Sequence, residues 1–296
     1  QSLKAKGGIL PKKVFMNCLN KKIIIIDNSN LSYSGDDING TIVRGTESSL
    51  ILLAEQFVRM GIEVDYCNSI DDMKKVNGVN YFNKKHINKN SIYNLAIAIS
   101  DANEFYRVSS IKKAVFSNSN QPIEKFIRKK QLLPFLKFKP TLITLCDYQL
   151  KKRSFFTSFY GKRTIPITVD PKFLDIIIDK NHLPEKKVVY NIRSNRNLDK
   201  LIKIWCEKIF PINNEFKLYI TPNLIEYTNY HTSHNIFLRT IGTREEMIDE
   251  LKDYRALTYL GHKSDIFTLT AEEAIKLCLP VVTFGIGSLR ERVSHM

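Results

Sequence analysis

Asp265 and Glu273 stand with seven residues between them in the stretch DIFTLTAEEAIKLCLPVV. The pattern places Asp265 in a loop beyond a strand and Glu273 in the first turn of a helix. A helix N-terminus offers free backbone N–H groups and the positive end of the helix dipole, which together suit a pyrophosphate. A carboxylate at Glu273 could then accept both hydroxyls of a ribose. On spacing alone a second reading stays open, in which Glu272 and Glu273 only favour the helix start through its dipole and bind nothing.

Other chemistries lack their residues. There is no GxGxxG dinucleotide fingerprint and no Walker A sequence. The five cysteines, Cys18, Cys67, Cys146, Cys206 and Cys278, are far apart and show no CxxC spacing, so they read as reduced thiols. Of the six histidines only His231 and His234 are close in sequence, without cysteine or carboxylate beside them, and no metal site is expected.

Two series of alternating strands and helices must position the acidic pair. In the first, the run Lys22–Asp27, with four successive isoleucines, reads as a strand. Leu50, Leu53, Ala54, Phe57 and Val58 recur at helical spacing, Gly61 ends that helix, and a strand follows at 62–66. Further strands are predicted at 95–100, 113–117 and 141–145, with a helix over 122–131. The second series opens with a strand at 187–190 and a helix over 198–209. Strands at 216–220 and 235–238 come next, then a helix from a Thr243/Glu246 capping box to 254. A strand at 256–260, a helix over 271–278 and a strand at 280–284 complete it. We therefore expect an α/β fold of two Rossmann-like domains with an interdomain cleft. The boundaries are a leader 1–20, an N-terminal acceptor-side domain 21–170, a linker 171–186 rich in proline and charge, and a C-terminal nucleotide-sugar-binding domain 187–296.

The segment Tyr254–Val293 resembles the C-terminal signature of family 4 retaining glycosyltransferases of the GT-B fold. An acidic residue, seven intervening residues and Glu-Ala lead through a helix to Pro-Val-Val and a glycine-bearing loop. Here these are Asp265, Glu273-Ala274, Pro280-Val281-Val282, and Gly285 to Glu291. The sequence departs from the family by carrying Asp265 where Glu is usual and Thr268 where a glycine is common. The resemblance implies that Glu273 holds the donor ribose and that Asp265 lies near the transferred sugar. It places the amides around Phe267, Thr268, Leu269 and Thr270 against sugar and phosphates. It also puts a basic residue after the first strand of the second domain to grip the diphosphate, with Arg196 first choice and Arg193 second. The loop Gly40–Glu47, with Gly45 before a helix that Thr46 or Ser48 would cap, is similar to a cleft-facing glycine loop of the family. Ser117 and Asn118 occupy a place where relatives often carry histidine, and Asp147 is an acceptor-side candidate.

The activity implied is transfer of a sugar from a nucleoside-diphosphate donor to an acceptor hydroxyl with retention. No metal and no cofactor are needed, since no DxD motif is present and Arg196 and helix-terminal amides would face the leaving group. The acceptor could be a glycan, a lipid-linked sugar or a protein. Two alternatives are a nucleotide-sugar epimerase of similar fold and a sugar-nucleotide-binding scaffold without turnover. Family members continue through further helices beyond the signature, so the fold is expected to be truncated at its C-terminal end.

With 43% hydrophobic residues in 296, two cores can be filled. No apolar run approaches the roughly 18 residues that span a bilayer, and the Lys-rich start makes a poor signal peptide. A cytoplasmic protein is expected. The formal charge of +15 is spread along a chain rich in Lys, Asn and Ile, with clusters at Arg128–Lys130 and Lys151–Arg153. No nucleic-acid motif accompanies it, so specific nucleic-acid binding is not expected. The charge also allows a phosphate-bearing substrate or peripheral contact with an anionic membrane.

Overall fold

The computed structural model describes residues 21–39, 43, 45–120, 122–153, 155–167, 169–174, 176, 183–192, 196–221, 232–239 and 242–293. Contacts divide the chain into two units, Gln1–Pro166 and Ile167–Met296.

In the first unit, strand β1 (Lys22–Asp27) carries four consecutive isoleucines, each at most 5% exposed. A run of consecutive buried apolar residues belongs inside a parallel sheet, where both faces are covered. It pairs in parallel with β2 (Glu63–Asn68) and with β5 (Ile92–Ile99), setting Ile24 opposite Asp65 on one side and Ala96 on the other. Beyond β5 lie β6 (Ser109–Phe116), β7 (Thr141–Thr144) and β8 (Lys162–Thr164). Beyond β2 lie β4 (Val79–Asn83) and β3 (Lys74–Val76), giving the order β3-β4-β2-β1-β5-β6-β7-β8. The β3–β4 pair is antiparallel and turns through Asn77 (φ 49°) and Gly78 (φ 84°), the residue types that a two-residue hairpin demands.

Helix α1 (Gly45–Arg59) buries Leu50, Ile51 and Ala54 and stops where Gly61 takes φ 79°. Because α1 begins at Gly45, Thr46 and Ser48 lie inside the helix and do not cap it. Short helices α2 (Ile123–Arg128), α3 (Leu132–Phe138) and α4 (Asp147–Lys152) follow. Phe126 and Phe135 from α2 and α3 reach a core shared with Ile24, Ala96, Val115 and Leu142.

In the second unit the sheet runs β11-β10-β9-β12-β13, parallel throughout. Its strands are β9 (Lys187–Tyr190), β10 (Lys217–Ile220), β11 (Ile236–Leu238), β12 (Ala256–Thr258) and β13 (Val281–Val282). Successive residues of a strand point to opposite faces, and Val189 and Tyr190 accordingly enter different cores. Tyr190 packs with Leu198, Trp205 and Leu218, and helix α5 (Leu198–Ile204) supplies the first of these before the chain widens into one π turn, Trp205–Ile209. Val189 packs with Ile248 and Leu251 of helix α6 (Arg244–Lys252). The Thr243/Glu246 capping box of α6 is formed in both directions, with Glu246 N–H on Thr243 Oγ1 at 3.3 Å and Thr243 N–H on Glu246 Oε2 at 2.6 Å. Val169 and Phe173, which precede β9, pack into this same core. Helices α7 (Leu269–Lys276) and α8 (Leu289–Arg292) flank β13 in sequence.

Candidate functional site

The second unit's connections leave β9 and β12 in opposite directions, toward β10 and β11 on one side and β13 on the other. At such a switch point the loops beyond the carboxyl ends of two neighbouring strands part and leave a crevice. Those loops carry Arg196, after β9, and Asp265, after β12.

The two loops are tied together. Asn197 holds the left-handed conformation (φ 65°) and donates its side-chain amide to Gly261 O at 2.6 Å. Arg196 Nη1 donates to His262 Nδ1 at 2.8 Å and to Ser264 Oγ at 2.5 Å, and its Nε lies 3.5 Å from Asp265 Oδ1. His262 Nδ1 also receives Ser264 N–H at 3.2 Å, so this nitrogen acts as an acceptor. The Nη2 of Arg196 makes no hydrogen bond among the described residues, and the side chain keeps 24% exposure.

Asp265 is firmly held. Its Oδ2 accepts the Tyr259 hydroxyl and the His262 N–H, the latter at 3.1 Å. Burial first, and the Asp265 carboxylate second, push the Tyr259 phenol well above its ordinary value, so it remains a donor. The Gly285–Ser288 loop backs this turn, with Ser288 N–H on Asp265 O at 3.1 Å. Gly287 is required there, since it has φ 74° and an added Cβ would sit 2.4 Å from His262 O.

Glu273 falls in the second turn of α7, which starts at Leu269, rather than in the first as its spacing suggested. It is buried, and its Oε1 accepts Arg244 Nη2 at 3.2 Å. Arg244 Nε is in turn 3.1 Å from Asp170 Oδ2, an ion pair without hydrogen-bond geometry. Burial raises the Glu273 carboxyl to about 7, with Arg244 opposing the rise and Asp170 adding to it. The structure therefore joins Arg196 to Asp265, and gives Glu273 a different partner.

Thr268 is the N-cap residue of α7, but its side chain caps nothing. Its Oγ1 is shut from solvent and has no hydrogen-bond partner among the described residues. Phe267 lies under the Arg292 guanidinium at 4.7 Å, Leu269 packs against the core, and Thr270 Oγ1 donates to Asn191 O at 3.3 Å. Arg193 lies outside the described residues, as do Gly40, Thr41, Ile42 and Arg44. Gly45 opens α1 and its carbonyl accepts Ser49 Oγ at 2.7 Å. Ser117 and Asn118 are engaged locally, Ser117 Oγ with Ser119 O and Asn118 N–H with Ser100 Oγ. Asp147 begins α4 and accepts Thr164 Oγ1 at 3.4 Å.

Tyr259, His262 and Arg244 stand outside the sequence reading. Tyr259 reads there as a strand residue and His262 as an isolated histidine. Arg244 directly follows a helix cap, a position where a solvated side chain is the ordinary expectation. Among the described residues no group of three or more His, Cys, Asp or Glu could hold a metal ion.

No protein-family model and no curated protein matches the chain. Solved structures do. A sucrose-phosphate synthase from Thermosynechococcus elongatus superposes with a TM-score of 0.67 over 93% of this chain and 84% of its own, at 11% identity. AviGT4, a glycosyltransferase involved in avilamycin A biosynthesis, gives 0.59 over 92% and 80%, at 12% identity. An E. coli trehalose-6-phosphate structure bound with UDP-2-fluoro glucose gives 0.56 over 89% and 84%, at 9% identity. At these identities the likeness is one of fold: the chain has the GT-B architecture of two Rossmann-like units.

Proposed function

We propose that the chain is a glycosyltransferase that moves a sugar from a nucleoside-diphosphate donor to an acceptor hydroxyl, with retention and without a metal ion, as the family 4 resemblance implies. One observation carries this reading. Arg196 and Asp265, from the two loops at the switch point of the second unit, meet at 3.5 Å in the place where this fold class binds nucleotides. Arg196 retains two Nη2 donors for a diphosphate oxygen, and a planar, permanently charged guanidinium suits that partner.

In the reaction the bond from the anomeric carbon to the phosphate oxygen breaks and a bond to the acceptor oxygen forms. The departing phosphate takes the acceptor proton. Arg196 stabilises the charge that develops on the leaving diphosphate. Glu273, oriented by Arg244, is assigned to the ribose. Asp265 acts mainly by fixing Arg196 and the His262–Ser264 turn, since its Oδ2 already accepts two hydrogen bonds and its Oδ1 faces the Arg196 guanidinium. That same engagement favours one alternative, a sugar-nucleotide-binding protein without turnover.

The test is a panel of sugar nucleotides, headed by uridine diphosphate sugars because one fold neighbour is bound with such a ligand. Thermal stabilisation and nucleotide release are measured in excess chelator. We expect both to persist. Arg196→Ala should weaken binding of the nucleoside diphosphate about tenfold to a hundredfold, the scale of a charged hydrogen bond, and leave the nucleoside nearly unaffected. Equal losses for both ligands would remove the clamp, and stabilisation without release would select the binding-only reading.

A further inference from the structure

The first unit carries an apolar face that its own fold does not use. Leu132 and Leu136 of α3 and Phe155, Phe156 and Phe159 of the turn after α4 surround a groove floored by Phe126 and Phe135. The rim is open to solvent, with Phe155 67% exposed, Phe159 64% and Phe156 58%. This exposure is built in. Arg153 folds back, donating from Nε to Ser158 Oγ at 2.7 Å and from Nη1 to Leu150 O, and so braces the turn that presents the rings.

The charge around the groove has one sign. From Pro122 to Pro166 the sequence holds eleven basic residues against two acidic ones, which is most of the chain's excess of +15. Arg128, Lys129 and Lys130 lead directly into α3, and Lys151 and Lys152 precede the phenylalanine turn; all five are exposed and none is in an ion pair among the described residues. Burial, then the positive charges of Lys129 and Arg128, hold the Lys125 ammonium below its ordinary value.

We propose that this face docks on an anionic phospholipid bilayer, its leucines and phenylalanines entering the interface while the surrounding lysines and arginines meet headgroup phosphates. Aromatic and aliphatic side chains inside a basic rim are what such a surface takes, and one signal without the other binds only marginally. The side chains favour lipid over nucleic acid. The rings of Phe155 and Phe156, and of Phe155 and Phe159, cross at 71° and 78°, so they form no parallel platform for bases, and leucines offer bases nothing to stack on. A protein partner fits less well, since lysine is depleted from protein interfaces and here it dominates the rim.

The experiment is flotation of the full chain with vesicles of phosphatidylcholine alone, or containing about one-third phosphatidylglycerol, at about 0.15 M salt. Bound fraction should rise at least about tenfold with the anionic lipid. It should fall about tenfold in F155S/F156S/F159S and to the phosphatidylcholine level in K129E/K130E/K151E/K152E. These positions are exposed, and an unchanged melting temperature in each variant confirms that folding is not the cause. Equal binding to the two lipids, or equal binding by wild type and the phenylalanine variant, overturns the proposal. So does vesicle binding abolished by single-stranded RNA that the wild type binds and the variants do not, or a dimer lost in the phenylalanine variant with no vesicle binding in either. Sugar-nucleotide binding plays no part in the readout, so the donor-site reading stands or falls separately.

Discussion

Asp265 and Glu273 belong to one loop-and-helix segment, but their surroundings differ in kind. Asp265 is met by two hydrogen-bond donors, a phenol and a backbone N–H, and by the edge of a partly exposed guanidinium at ion-pair distance. Glu273 is buried with a single described donor, Arg244, and that arginine is shared with a second buried carboxylate, Asp170. The first acid is a hub that organises a loop. The second is a group whose charge is conditional on Arg244, its one cationic partner among the described residues. Regular spacing in a sequence therefore selects two carboxylates without saying which of them will be ionised, because burial and the count of donors decide that.

Removing the shared cation is the hardest blow to this contrast. Arg244→Ala leaves Asp170 and Glu273 buried without their counter-charge, and loss of one partner of a buried ion pair costs about 3–5 kcal/mol. The chemical denaturation midpoint of the second unit should fall accordingly. A loss below about 1 kcal/mol, the scale of an exposed pair, would mean that the bridge is ornamental and the two acids are not so different.

The next effect is pH-dependent. With the Glu273 carboxyl at about 7 in the folded chain and 4.5 as its ordinary value, the folded state holds the extra proton between those limits. Stability contributed by this group is full below pH 4.5 and declines as pH rises through about 7, by on the order of 3 kcal/mol in total. Glu273→Gln should remove that slope from urea titrations made across the range. It should also weaken sugar-nucleotide binding about tenfold if the ribose assignment is right. An unaltered slope would contradict the conditional charge, and unaltered affinity would contradict the ribose role.

The smallest effect belongs to the better-supported acid. Tyr259→Phe removes one of the two hydrogen-bond donors to the Asp265 carboxylate and should lower stability by about 1 kcal/mol and donor affinity by only a few fold. A much larger loss in donor affinity would show that Asp265 depends on the phenol as heavily as Glu273 depends on Arg244.

Much of the frame was legible because parallel strands announce themselves as apolar runs. The strands at 22–27 and 187–190 come out with the bounds predicted for them, and the Thr243/Glu246 pair forms the box its spacing implies. The β3–β4 hairpin stands outside the prediction, although Asn77-Gly78 between Val76 and Val79 is its signal. Helices α3 and α4 were harder, since their seven and six residues are too short for helical periodicity to show. The predicted helix 198–209 holds as a helical stretch, but its change to π geometry at Trp205 follows packing rather than pattern. In the site, sequence order marks Arg196, Asp265 and Glu273. What it does not carry is pairing: Arg244 lies 29 positions from Glu273, and His262 lies 66 from Arg196.

The position of β1 at the centre of its sheet also governs how the chain comes off the ribosome. Its Ile23–Ile26 run pairs on one side with β2, but on the other with β5, where Ile23 meets Leu95. At about 5–20 residues per second, one edge of this β-branched apolar run waits roughly 4–14 seconds of synthesis for the strand that covers it. The strand that is central in its finished sheet is thus one that stands with an open edge while the chain is being made.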